Sequence, residues 1–176
     1  MWPDLIRIVR ERVKPMRDQL GNSTDARRMK LYWWQYYGRD RPEMTAALAC
    51  VSRCLVISRH TKHVCFSFQP LKRLFSEGLY LFPLDRCSAF AVLQSRVHEP
   101  WARLLSTSLE ERIRYAASDC FETFPFPNPD LRTVIPALEA IGEKLYETRA
   151  RFMVDTDQGL TKTYNALNVH FAPTGR

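Results

Sequence analysis

The sequence predicts an α+β fold, on three observations. Apolar residues near the N-terminus, Leu5, Ile8, Val9, Val13 and Met16, recur at helical spacing. Between residues 54 and 68 the period changes to that of strands. A helical pattern then returns in Ala137, Leu138, Ile141, Leu145 and Phe152. The expected architecture is a basic helical lead-in over 1–51, a small, mostly antiparallel sheet with a packing helix over 52–127, and a C-terminal helical tail over 128–176. A chain of 176 residues with 45% hydrophobic content can bury one core.

Asp4, after Pro3, is placed to cap the first helix, with Arg7, Arg10, Lys14 and Arg17 on its other faces. Gly21-Asn22-Ser23-Thr24 ends it, and Asp25 is placed to start a second helix running toward Tyr32, Trp33, Trp34, Tyr36 and Tyr37. Pro42 opens a third through Ala46, Ala47 and Leu48, because a missing N–H costs nothing at a helix start. Residues 54–58 read as a strand, Arg59-His60-Thr61-Lys62 as a turn, 63–68 as its hairpin partner, and 79–82 as a further strand between Gly78 and Pro83. Over 88–105, Phe90, Leu93, Val97, Trp101 and Leu104 share one helical face, and Pro100 is expected to kink the helix. Residues 113–127 read as extended chain ending in a clamp, Phe124-Pro125-Phe126-Pro127, since a residue before proline is pushed out of the α region. Pro127-Asn128-Pro129-Asp130 marks a boundary before a long helix, and 156–176 reads as a short helical piece with a loose end.

The net charge is +7, but residues 1–73 hold 15 Lys and Arg against 6 Asp and Glu, while 74–176 hold 11 against 13. A basic front half suits a polyanion-binding face, because lysines and arginines that neutralise phosphates release counterions. For the first helix, a solvated surface is the favoured account of the charges. Five cysteines at 50, 54, 65, 87 and 120 follow no disulfide framework and are expected to be reduced. A zinc site from Cys50, Cys54, His60, His63 and Cys65 is a weaker alternative, since there is no Cys-x-x-Cys pair. No apolar run is long enough for a membrane span and no secretory signal opens the chain, so the expected location is cytoplasmic.

Catalytic patterns are missing. The six glycines stand singly, so no phosphate-cradling loop is present and no cofactor is expected in this chain. Glu139, Glu143 and Lys144 read as ordinary surface charges on a helix. What remains is chemistry for binding. The turn bearing Arg59, His60, Lys62 and His63 offers donors able to read guanine acceptors and grip phosphates, unless it is only a polar hairpin tip. Arg39 and Arg41 precede the Pro42 helix, where they either grip phosphate or pair with Asp40 and Glu43. Lys72 and Arg73 are further phosphate candidates. Trp33, Trp34, Phe124 and Phe126 are expected in the core rather than stacked on bases, and His98 and Trp101 are expected to serve packing.

Four segments together carry a family resemblance: Trp33-Trp34-Gln35-Tyr36-Tyr37-Gly38-Arg39-Asp40-Arg41-Pro42-Glu43-Met44, residues 52–63, Ala91-Val92-Leu93-Gln94-Ser95-Arg96-Val97-His98-Glu99-Pro100-Trp101, and Ser118-Asp119-Cys120-Phe121-Glu122-Thr123-Phe124-Pro125-Phe126-Pro127. In order and spacing, over about residues 28–170, the chain resembles the C-terminal part of MmeI-like fused restriction and modification enzymes, DNA adenine methyltransferases with their own sequence-recognition domain. The resemblance implies a target-recognition region that binds double-stranded DNA and works with a methyltransferase catalytic domain, in cis or in trans. It also implies S-adenosylmethionine as methyl donor in that catalytic part. The family's Gly-containing cofactor loop and Asn-Pro-Pro-aromatic motif are both missing; Asn128 is followed by one proline and an aspartate. The competing reading is a protein-interaction module without DNA specificity.

Overall fold

The structure is a computed structural model that describes residues 2–35, 42–109 and 112–171. The chain divides into two compact units, residues 1–46 and 47–176.

The first unit is helical. Helix α1 (Pro3–Arg12) is followed at once by α2 (Lys14–Asp18), so Val13 breaks the single helix expected there. Pro15 in the first turn of α2 explains the break, because it lacks the N–H that a continuing helix would use. Asp4 is not the cap; Trp2 holds that position, Pro3 is the first helical residue, and Asp4 lies in the first turn, 3.8 Å from Arg7. Helix α3 (Thr24–Leu31) is capped by Ser23, whose Oγ accepts from the Ala26 N–H at 3.2 Å, rather than by Asp25. Beyond it, Arg17 donates to the Tyr32 carbonyl at 3.0 Å and Arg10 lies over the Trp33 ring. Trp33 is half-buried, but Trp34 is 49% exposed, against expectation. Helix α4 (Pro42–Ala49) starts at its proline as expected.

The second unit holds two small antiparallel sheets. Strands β1 (Arg53–Ser58), β2 (His60–Thr61), β3 (Ser67–Pro70) and β4 (Leu79–Phe82) come first. β1 is the central strand of β3-β1-β4, with Leu55 opposite Phe68 on one side and Phe82 on the other. The hairpin partner of β1 is therefore 67–70, not 63–68. Residues 64–66 leave the ladder, and Gln94 stands in for a strand: its amide donates to the Val64 carbonyl and accepts from the Phe66 N–H, both at 2.9 Å. Arg53 lies over the Phe68 ring, 3.6 Å from its centroid, and donates to the Asp85 carbonyl.

Helices α5 (Cys87–Leu93) and α6 (His98–Leu105) replace the single kinked helix. The break falls at 94–97, where Ser95 Oγ accepts from the His98 N–H at 3.1 Å. Pro100 is then in the first turn of α6, where it bends nothing. That break turns the expected shared face apart: Phe90 and Leu93 are buried, while Val97 and Leu104 face outward. Strands β5 (Thr107–Leu109) and β6 (Arg112–Arg114) complete the second sheet, ordered β2-β6-β5. Helix α7 (Ala117–Cys120) interrupts the expected extended stretch. In the clamp after it, Phe124 is buried against His98 and Trp101, and Phe126 is half-buried.

The C-terminal helices are α8 (Pro136–Asp155) and α9 (Leu160–Phe171). The face α8 turns inward is not the apolar one. Its buried residues are Gly142 and Arg149, with Tyr146 against Phe68 and Phe90, whereas Ile141 is 59% exposed and Leu145 and Phe152 are also exposed. Close approach of α5 sets this rotation, because a Cβ on Gly142 would come within 2.7 Å of the Cys87 carbonyl carbon. Glu139 is therefore no ordinary surface charge: its carboxylate accepts from the Cys87 and Ser88 N–H groups at 3.1 and 2.6 Å, satisfying the start of α5. Glu143 is exposed as expected.

Candidate nucleic-acid interface

The candidate site lies where the chain leaves one sheet for the other. Ser58 ends β1; Arg59 donates its N–H to the Gly78 carbonyl and accepts from the Tyr115 N–H, both at 2.9 Å, so its backbone serves both sheets. His60 and Thr61 then pair with β6. Small side chains fix the bend. Ser58 Oγ donates to the His60 carbonyl at 3.0 Å, and Thr61 Oγ1 to the His63 carbonyl at 2.7 Å. Arg103, paired with Glu99 at 2.8 Å, donates to the Lys62 carbonyl at 2.9 Å.

The donors read from the sequence are separated by this geometry. Arg59 is half-buried, donates to the Glu77 carbonyl at 3.3 Å and lies over Tyr80, and its enclosed Nε has no partner among the described residues. His63 is buried, with its Nε2 2.8 Å from Asn165 Oδ1 and its ring stacked on Tyr164 of α9. His60 and Lys62 are the two exposed members. Lys72 and Arg73 are exposed after β3, and Arg73 donates to Gln69 at 2.8 Å. Arg39 and Arg41 lie outside the described residues.

Two arginines join His60 on the outer face of the second sheet. In β6, Ile113 is buried and its neighbours Arg112 and Arg114 are exposed, so strand alternation puts both guanidinium groups on the side away from the core. Arg114 is directly opposite His60 on one side and Thr107, also exposed, on the other. Sequence reasoning missed this pair because three-residue strands are too short for a period to show. The charged-apolar-charged triplet was the available signal.

The face is held from behind by buried polar contacts. Tyr115, next after β6, is fully buried with its hydroxyl 3.1 Å from His98 Nε2. Burial lowers the His98 imidazole from 6.5 to about 4 and raises the Tyr115 phenol. On the other side of the bend, Arg149 donates to the Tyr164 hydroxyl at 3.1 Å and lies over Phe90. Burial raises the Cys65 thiol, opposed by the Arg149 charge and reinforced by Glu99. The zinc alternative gains no support: His63 is engaged with Asn165, and Cys54 is buried in β1 facing the Gln69 carbonyl. Cys87, Glu139 and Glu143 do lie close together, but Glu139 caps α5 and Arg53 donates to Cys87 Sγ at 3.4 Å.

Residues 4–128, including both sheets, match the family model described as MmeI, target recognition domain. The chain belongs to the MmeI target recognition domain family. Helices α8 and α9 lie beyond the matched residues. DNA methyltransferase A of Bacillus subtilis (strain 168) is 26% identical over 138 residues, which cover 78% of this chain and 16% of that relative. No solved structure matches. No helix among the described residues is long and apolar enough to cross a membrane.

Proposed function

We propose that this chain, a target recognition domain of the MmeI family, serves as the sequence-reading module of a site-specific DNA adenine methyltransferase of a restriction and modification system. The observation that carries the reading is the basic outer face of β2-β6-β5, His60, Arg112 and Arg114, lying within the residues matched to the family. Arg59 and His63 take structural parts in it, the first joining the two sheets and the second pinning the bend to α9. Lys62, Lys72 and Arg73 supply phosphate contacts, and Arg39 and Arg41 belong to the same role.

The catalytic steps and the methyl donor, S-adenosylmethionine, belong to a methyltransferase portion acting in cis or in trans, in the cytoplasm. A groove of about 470 Å³ beside Arg73, Leu74, Phe75 and Leu160 is lined by no glycine and no carboxylate. It does not fit a nucleoside with a charged tail, and no catalytic step is assigned to this chain.

A second reading, a protein-interaction module, is favoured by the outward stripe of Ile141, Leu145 and Phe152 on α8. Binding of duplex DNA at several salt concentrations separates the two. The DNA reading expects log affinity to fall linearly with log salt, by roughly 0.9 per phosphate neutralised. No duplex binding at low salt, or binding indifferent to salt, contradicts it.

A further inference from the structure

We propose that β6 is the base-reading strand, with Arg112 and Arg114 directed at guanines in the major groove. The proposal rests on the DNA-recognition reading above and names the residues that give it specificity. β6 is the middle strand of its sheet, and buried Ile113 anchors its inner side in the same core as Tyr115. The rotation of the strand is thereby fixed, and the arginines on either side of Ile113 project to the opposite face. Cross-strand pairing sets exposed His60 and Thr107 beside Arg114, so a row of three hydrogen-bonding side chains crosses the sheet.

Three other arginines of this unit are committed to the fold: Arg53 to Asp85 and Phe68, Arg103 to Glu99 and Lys62, Arg149 to Tyr164 and Phe90. Arg112 and Arg114 have no ion pair or side-chain hydrogen bond to any described residue. Their spacing fits the duplex. Two residues along a strand span about 6.7 Å, close to two base steps of about 3.4 Å each. The two guanidinium forks can therefore meet bases up to two steps apart. Guanine is the base whose O6 and N7 accept both prongs of such a fork, in a groove about 12 Å wide that admits a β-ribbon. A lysine supplies the charge without the fork.

The test is selection of duplexes from a randomised pool by the purified 176-residue chain. Wild type, Arg112→Ala, Arg114→Ala and Arg114→Lys are compared, with thermal melts to confirm that each variant is folded. Wild type should enrich a motif with guanines at two positions no more than two steps apart. Each alanine variant should lose preference at one of them, by about 5- to 150-fold. Arg114→Lys should lose the same preference while keeping its affinity for unselected DNA. Folded variants that enrich the wild-type motif overturn the proposal, as does restoration of the motif by lysine, which would make Arg114 a phosphate contact. A wild-type chain that binds no duplex, or enriches no motif, overturns the DNA-recognition reading itself and this inference with it.

Discussion

In the sheet β3-β1-β4, four successive residues of β1, from Cys54 to Ile57, are buried; in the sheet β2-β6-β5, Ile113 is buried between exposed Arg112 and Arg114. One sheet is covered on both faces of its central strand and the other on one face only. Yet the chain passes from β1 to β2 through a single residue, Arg59, so the two environments are rigidly joined. The first sheet anchors, and the second presents. A reading surface needs this division, because side chains that meet bases must be free of partners while their backbone is not.

The comparison is tested most severely in the core beneath both sheets. Phe66 is fully buried and touches Phe82, His98 and Tyr115, so Phe66→Ala should cost about 3 to 5 kcal/mol in urea unfolding. Loss below about 1 kcal/mol would mean that the two sheets do not share this core.

His98 gives a pH-dependent version of the same test. Its folded imidazole titrates near 4 rather than 6.5 because burial disfavours the charged form. The unfolded chain therefore takes up a proton first as pH falls. The His98 contribution is full above about pH 6.5 and is lost as pH drops toward 4, by about 3 kcal/mol. Unfolding measured at pH 7 and 4.5 should show most of this slope in the wild type, and His98→Gln should flatten it.

A smaller effect is expected where α8 meets α5. Gly142→Ala should destabilise by about 1 to 3 kcal/mol, since its methyl group would press on the Cys87 backbone. A thermal midpoint equal to the wild type would show that α8 is not held at that distance. Smallest in stability, and largest in contrast, are the arginines of the second sheet. Arg112→Ala and Arg114→Ala should change unfolding free energy by less than about 0.5 kcal/mol, as exposed substitutions do. A loss of several kcal/mol would place them in the anchoring part of the fold instead.

What the sequence made legible follows the same division. β1, β4, the Pro42 helix and the long C-terminal helix carry four or more residues of clear pattern. β2, β5 and β6 have two or three residues each, and β2 meets β6 through contacts between residues about fifty apart. Helix α8 misled for another reason. Its apolar stripe was legible, but the inward face was chosen by Gly142 and Glu139, whose value lies in the backbone of α5 rather than in hydrophobicity. At the site, the basic character of the bend was readable at Arg59, His60, Lys62 and His63. Which of them face solvent was not, because burial of His63 depends on Asn165 and Tyr164, a hundred residues away.

The central claim is that DNA meets the outer face of β2-β6-β5. Modification of arginines by phenylglyoxal, with and without duplex DNA and read residue by residue by mass spectrometry, tests it most directly. The account predicts that DNA protects Arg112 and Arg114 while leaving the slow reaction of Arg53, held on the Phe68 ring, unchanged. Equal reaction of Arg112 and Arg114 in both conditions, with protection found instead among the arginines of α1 and α3, would contradict it.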